Sequence, residues 1–144
     1  MSVRYKEYRM KKFSRTEART EAFKLIFQTE TNHDDIEFLI LQMLEENPAA
    51  SRQIDYIRNV VTGVNEKKEE LETAISEHLS PGWKLERVPK VALCVLKLAI
   101  YEIRYVEDVP ERVAINEAVE LDKIYDDPDH SAFVNGVLGS FCRA

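Results

Sequence analysis

Arg15 and Arg19 stand four residues apart, so a helix carries both on one face, with Phe23 and Phe27 continuing a slowly drifting stripe. Guanidinium groups neutralise phosphates or stack on unpaired bases, and a neighbouring aromatic ring offers a second stacking surface. Arg9, Lys11 and Lys12, just upstream, add positive charge. The first 24 residues hold eight bases and three acids, a net +5, while the other 120 hold 12 bases and 23 acids, a net −11. An acidic body with a basic arm attracts a polyanion at one place and repels it elsewhere. The same residues also fit a solubilising tail, with Phe23 and Phe27 in the core. Both readings stand at this point.

Other reactive side chains are sparse. His33, His78 and His130 are scattered, with no second ligand at metal spacing. His130 follows Asp129, which suggests a dyad, but no Ser or Cys nucleophile with oxyanion donors accompanies it. Cys94 and Cys142 lack CxxC spacing and read as reduced structural thiols. No catalytic residue, metal or cofactor is expected. No apolar run approaches the ~20 residues that span a bilayer, and residues 1–15 lack the apolar core of a signal peptide. A soluble, cytoplasmic protein is therefore expected, with no membrane partner.

The elements that must position these residues are helical. Ser14-Arg15-Thr16-Glu17 is a capping box, and Ala18, Ala22, Leu25, Ile26 and Thr29 then repeat on one helical face. Asp34-Asp35-Ile36-Glu37 opens a short helix that Asn47-Pro48 ends. Ser51 is expected to cap a long helix running to about residue 78, in which Gly63 permits close packing. Leu79-Ser80-Pro81-Gly82 is a breaker and the best boundary between two subdomains, with Trp83 plugging the corner. Residues 88–106 are apolar nearly all round, as in a central helix covered on every side. Residues 113–125 form the next helix, and Asp129 or Ser131 caps the last.

That last helix contains Phe133-Val-Asn-Gly-Val-Leu138. Asn-Gly between apolar runs is a strong hairpin signal, yet no neighbouring segment alternates as a partner strand would. Phe133, Val134, Val137, Leu138 and Phe141 fit helical spacing instead. Gly136 inside a helix costs ~1 kcal/mol against Ala, an expense that close approach of another helix would explain. Asn116 is the expected partner for a buried Asn135. The fold class is all-α, a bundle of six or seven helices. Its expected organisation is a flexible basic arm over 1–13 and one helical domain over 14–144, in packed subdomains of about 14–79 and 83–144.

VAINEAVELDKIY (113–125) followed by DHSAFVNGVL (129–138) strongly resembles the C-terminal half of the transcription antitermination factor NusB family. LKLAIYEI (96–103), DVP (108–110) and RTEAFKLIF (19–27) extend the match, which is weakest across 30–80. The resemblance implies an RNA-binding adaptor that pairs with NusE, a small-subunit ribosomal protein, and binds the boxA element of nascent, notably ribosomal, transcripts. That complex joins RNA polymerase to suppress premature termination, without cofactor or metal. NusB-like domains also occur fused to RNA cytosine methyltransferases, a part this chain is expected to lack.

The resemblance implies RNA-binding roles for Arg15, Arg19, Lys11, Lys12 and Phe27, and places Asp129 and Phe133 close to RNA. Asn116, Glu117, Asn135 and Gly136 read as architecture locking the last two helices together. Thr16 and Glu17 sit where relatives can continue the arginine run. Ala92 replaces a common acidic residue and Lys97 stands where Arg is usual, which bears on the NusE contacts. The alternative is a helical protein–protein adaptor without direct RNA binding. Self-association into a homodimer is compatible with either.

Overall fold

The computed structural model describes residues 12–144, so Lys11 and most of the expected basic arm lie outside the described residues. Seven α-helices occur among the described residues: α1 (Arg15–Asn32), α2 (Ile36–Glu46), α3 (Ile54–Glu66), α4 (Lys68–Glu77), α5 (Lys90–Tyr105), α6 (Glu111–Tyr125) and α7 (Ser131–Arg143). Short 3-10 turns cover Pro48–Gln53, Leu85–Arg87 and Pro128–His130, and no described residue forms a strand. Phe133–Leu138 is helical throughout, so the all-α reading holds.

The chain divides into two compact units, Met1–Thr62 and Gly63–Ala144. The division therefore falls inside α3, upstream of the Leu79–Gly82 breaker that the sequence marked. The reason is packing: α4 buries Leu71, Ala74 and Ile75 and contacts α5, so it joins the C-terminal helices. The expected long helix also breaks at Lys67 into α3 and α4, and Ser51 lies in the 3-10 turn ahead of α3.

In the first unit the capping box forms as the sequence predicts. Ser14 Oγ accepts from the Glu17 N–H at 3.0 Å, and Glu17 Oε1 accepts from the Ser14 N–H at 3.2 Å. α1 then buries Ala18, Ala22, Leu25 and Ile26, packing against α2 and the Pro48–Gln53 turn. The cap of α2 is Asp35, within the expected Asp34–Glu37 start, accepting from the Phe38 N–H at 3.2 Å. Phe13 is buried, and its carbonyl accepts from Gln53 Nε2 at 3.4 Å, so residue 13 belongs to the folded body.

In the second unit α5 packs against α4, α6 and α7. Ala92, Cys94, Leu96 and Ile100 are fully buried. Lys97 is buried as well, its ammonium 2.8 Å from Glu72 of α4. Gly63 is needed for this packing, because a Cβ there would collide with the Tyr101 ring and hydroxyl. α6 packs against α7; α6 buries Ala114, Ala118 and Leu121, and α7 buries Val134, Val137 and Leu138.

One polar cluster sits where α6 gives way to α7. Asp122 is fully buried, and both its carboxylate oxygens, with Oδ2 of Asp126, lack a partner among the described residues. Two carboxylates have no proton to offer each other; with one shared proton, Asp122 donates to Asp126. Burial first, then that hydrogen bond and the Asp126 charge, push the Asp122 carboxyl up from 3.8 to about 7. Their place at a helix C-terminus, where the backbone dipole disfavours anions, acts the same way. His130 Nδ1 lies 3.0 Å from Asp126 Oδ1 and is held above its usual value, chiefly by that bond.

Two outcomes are expected. Gly63→Ala lowers the unfolding free energy by roughly 1–3 kcal/mol, because the Tyr101 ring must move; equilibrium denaturation measures it. Asp122 and His130 both have raised native pKa values, so the native state holds extra protons below them. Their stabilisation is complete below the unfolded pKa of each and is lost as pH rises through the native one. Stability should fall from about pH 4 to about pH 7 through Asp122, and further as pH passes through the raised native value of His130. Asp122→Asn, which donates permanently to Asp126, should flatten that decline and gain roughly 1–3 kcal/mol at pH 8.

Candidate nucleic-acid interface

In the first unit the two arginines do not share an open face. Arg15, in the first turn of α1, is half-buried: its Nε donates to Gln53 Oε1 at 3.1 Å, and its guanidinium carbon lies 4.2 Å from the Tyr56 ring centroid. The rest of its fork has no partner among the described residues. Arg19 is only 6 % exposed. This corrects the expectation of two open guanidinium groups. One turn into the helix, position 19 lies beside the inward stripe of Ala22, Phe23 and Ile26, and its aliphatic stem is buried with them. Arg15 escapes because it sits at the helix mouth.

Phe23 is core, whereas Phe27 is half-buried, its ring centroid 6.2 Å from that of Phe23 at 40°. Lys12 is exposed. The positive and aromatic groups that a polyanion can reach in this unit are thus Lys12, Arg15 and the open part of Phe27.

In the second unit Asp129 and Phe133 come from the turn into α7. The Asp129 N–H donates to Asp127 Oδ1 at 3.0 Å, while its carboxylate is exposed. Asp129 therefore does not cap the helix, and neither does Ser131, whose hydroxyl donates to the Pro128 carbonyl at 3.0 Å. The half-buried Phe133 ring lies 6.1 Å from that of Trp83. Trp83 does not plug a corner: it is 53 % exposed. It is the residue that sequence reasoning missed. The available signal was a large ring set in a Pro-Gly turn and followed closely by Lys84, Arg87 and Lys90.

The packing device expected at the α6–α7 contact is absent. Asn116, Asn135 and Gly136 are all exposed, no hydrogen bond joins the two asparagines, and a Cβ on Gly136 would meet nothing within 4 Å. The two helices still pack together, each with its own buried apolar residues. Glu117 is half-buried. Ala92 is fully buried and the Lys97 side chain fully enclosed, so neither offers a side-chain surface to a partner.

His130 pairs with Asp126 and not with Asp129. Cys94 is buried, and burial followed by a hydrogen bond with Glu111 pushes the Cys142 thiol up to about 11, keeping it protonated. Among the described residues no three His, Cys, Asp or Glu side chains converge as metal ligands, and no helix is long and apolar enough to cross a membrane.

Comparison with known proteins agrees with the helix order. The family model described as "NusB family" matches residues 16–143. Transcription antitermination protein NusB of Clostridium novyi is 37% identical over 133 residues, covering 91% of this chain and 99% of that protein. The protein of that name from Acetivibrio thermocellus is 45% identical over 129 residues, covering 90% and 88%. Among solved structures, NusB of T. maritima superposes with a TM-score of 0.80 at 31% identity, covering 92% of this chain and 93% of that one. A structure of antitermination factors NusB and NusE in complex with double-stranded RNA gives 0.75 at 25% identity, covering 90% and 96%. With a family match over nearly its whole length, this chain is a member of the NusB family.

Proposed function

We propose that this chain is a cytoplasmic RNA-binding antitermination factor. On this reading it pairs with NusE, binds boxA-type RNA of nascent ribosomal transcripts, and helps assemble an antitermination complex on RNA polymerase. It works as an adaptor, contributing binding surfaces and no reaction chemistry. The observation that carries the reading is the near full-length match to relatives named transcription antitermination proteins, together with a structural neighbour solved with NusE and RNA.

The first unit supports it with a guanidinium pre-oriented on Tyr56 and with Lys12 beside it in sequence. A stacked guanidinium has already lost rotamer freedom, so ordering it on a phosphate or base costs less. Lys11 extends the same basic run. Arg19 enters this reading as a support for α1, in keeping with its burial.

A second reading, a protein-binding adaptor without RNA contact, is favoured by the burial of Arg19 and by the open apolar side chains of Phe38 and Leu41 on α2. RNA titrations with and without NusE, at several salt concentrations and on single- and double-stranded boxA-type RNA, separate the two. The antitermination reading expects affinity that rises with NusE and falls with salt. Arg15→Gln should weaken binding roughly 3- to 10-fold and lower the salt slope by about 1, with helicity unchanged. NusE binding without RNA binding at any salt would establish the second reading, and the solution mass in the same samples reports any homodimer.

A further inference from the structure

Trp83 is the only tryptophan in the chain, and most of its surface is open to solvent. The turn that carries it needs no aromatic ring. It is closed by the Trp83 N–H donating to the Ser80 carbonyl at 3.0 Å, and Gly82 supplies the left-handed φ of 86°. An indole left open in this way forgoes the burial that large apolar side chains normally gain. The ring is nevertheless placed: its centroid is 6.1 Å from that of Phe133, with planes 33° apart, within the range of paired aromatics. Phe133, in the first turn of α7, thus braces an aromatic surface that remains accessible.

The surroundings indicate what that surface fits. Lys84 and Arg87 lie one and four residues after Trp83, are exposed, and have no ion pair among the described residues, although the exposed Glu86 stands between them in sequence. An open ring flanked by unneutralised cations matches a nucleic-acid strand, whose bases stack while its phosphates take the charge. Asp129, four residues ahead of Phe133, has an exposed carboxylate. A carboxylate repels phosphate but accepts from the amino groups of bases.

We propose that Trp83, braced by Phe133, is a stacking platform for an unpaired RNA base, with Lys84 and Arg87 neutralising the adjoining phosphates. The inference rests on the RNA-binding reading above and adds Trp83, Lys84 and Arg87 to Phe133 and Asp129, which the resemblance already places close to RNA. Asp129 then reads the edge of a base rather than contacting the backbone.

The single tryptophan supplies its own probe. A fluorescently labelled single-stranded boxA-type oligoribonucleotide is titrated with the full chain, with and without NusE, and label anisotropy and tryptophan emission are followed together. Stacking quenches the emission of Trp83 in step with the rise in anisotropy. Trp83→Ala weakens RNA binding about 5- to 100-fold, and Trp83→Phe, which keeps a ring, loses less. Lys84→Gln with Arg87→Gln lowers the salt slope without abolishing the quench in the parent ring. Far-ultraviolet circular dichroism checks each variant, and Trp83→Phe serves if the alanine variant fails to fold. Rising anisotropy with unchanged emission and an unaffected alanine variant would overturn the platform while leaving RNA binding standing. No anisotropy change under any condition would remove both readings. Quenching by NusE alone, with no response to RNA, would reassign the ring to a protein contact and overturn the proposal.

Discussion

A lysine in the middle of α5 has to be neutralised without access to water. The Lys97 side chain is fully enclosed, and its ammonium lies 2.8 Å from Glu72 on α4, whose side chain is 27% exposed. Burying an unmatched ammonium costs several kcal/mol even after relaxation. Apolar burial alone is non-directional and sets no register between helices. A short charge-assisted bond is directional, so this pair fixes α4 against α5 at one position. Because Glu72 stays partly wet, only one of the two charges is fully desolvated, which lowers the cost of the arrangement.

With α5 enclosed, chemistry in the second unit is confined to helix ends and turns. The Leu85–Arg87 turn precedes α5, and the Pro128–His130 turn precedes α7. The first lies just after Trp83 in sequence and the second just before Phe133, so Lys84, Arg87 and Asp129 all fall close in sequence to the aromatic pair. Tyr101 shows how tightly the rest is filled, since a single methyl group on Gly63 would strike its ring. Outer helical positions face the opposite situation. Gly136 and Asn135 lie open on α7 although glycine is unfavourable in a helix. Among the described residues nothing packs on that position.

Much of the fold was legible because it is set locally. The Ser14–Glu17 box is read from four residues and forms as read. The apolar run from 88 to 106 becomes the buried α5, since residues apolar on every side leave no other solution. What was illegible depends on which neighbour covers a face. Arg15 and Arg19 look equivalent at four-residue spacing, yet one stands at the helix mouth and the other beside a buried stripe. Asn135-Gly136 has the composition of a tight contact, and only the placement of α6 shows that no helix approaches it. Trp83 was read as the plug of the corner after Leu79–Gly82, and the sequence does not show which neighbour would cover it. The buried carboxyl pair is the clearest case: Asp122 falls in a helix and Asp126 in the loop after it, and their four-residue spacing does not say that both are covered.

The distribution of charge then suggests a division of labour. In the first unit an arginine held on Tyr56 and an exposed Lys12 meet few acidic neighbours in the N-terminal segment, so long-range attraction to phosphate is concentrated there. Around Phe133 the turn contributes Asp126, Asp127 and Asp129, which would repel a strand approaching from that side. A proton on Asp122 and a charged His130 on Asp126 remove part of this negative charge below neutral pH. What remains at neutral pH is a surface suited to short-range contact, with rings for base faces and a carboxylate for base edges. Attraction by charge brings any polyanion, whereas stacking beside an acidic turn selects strands whose bases are free to leave their own stack.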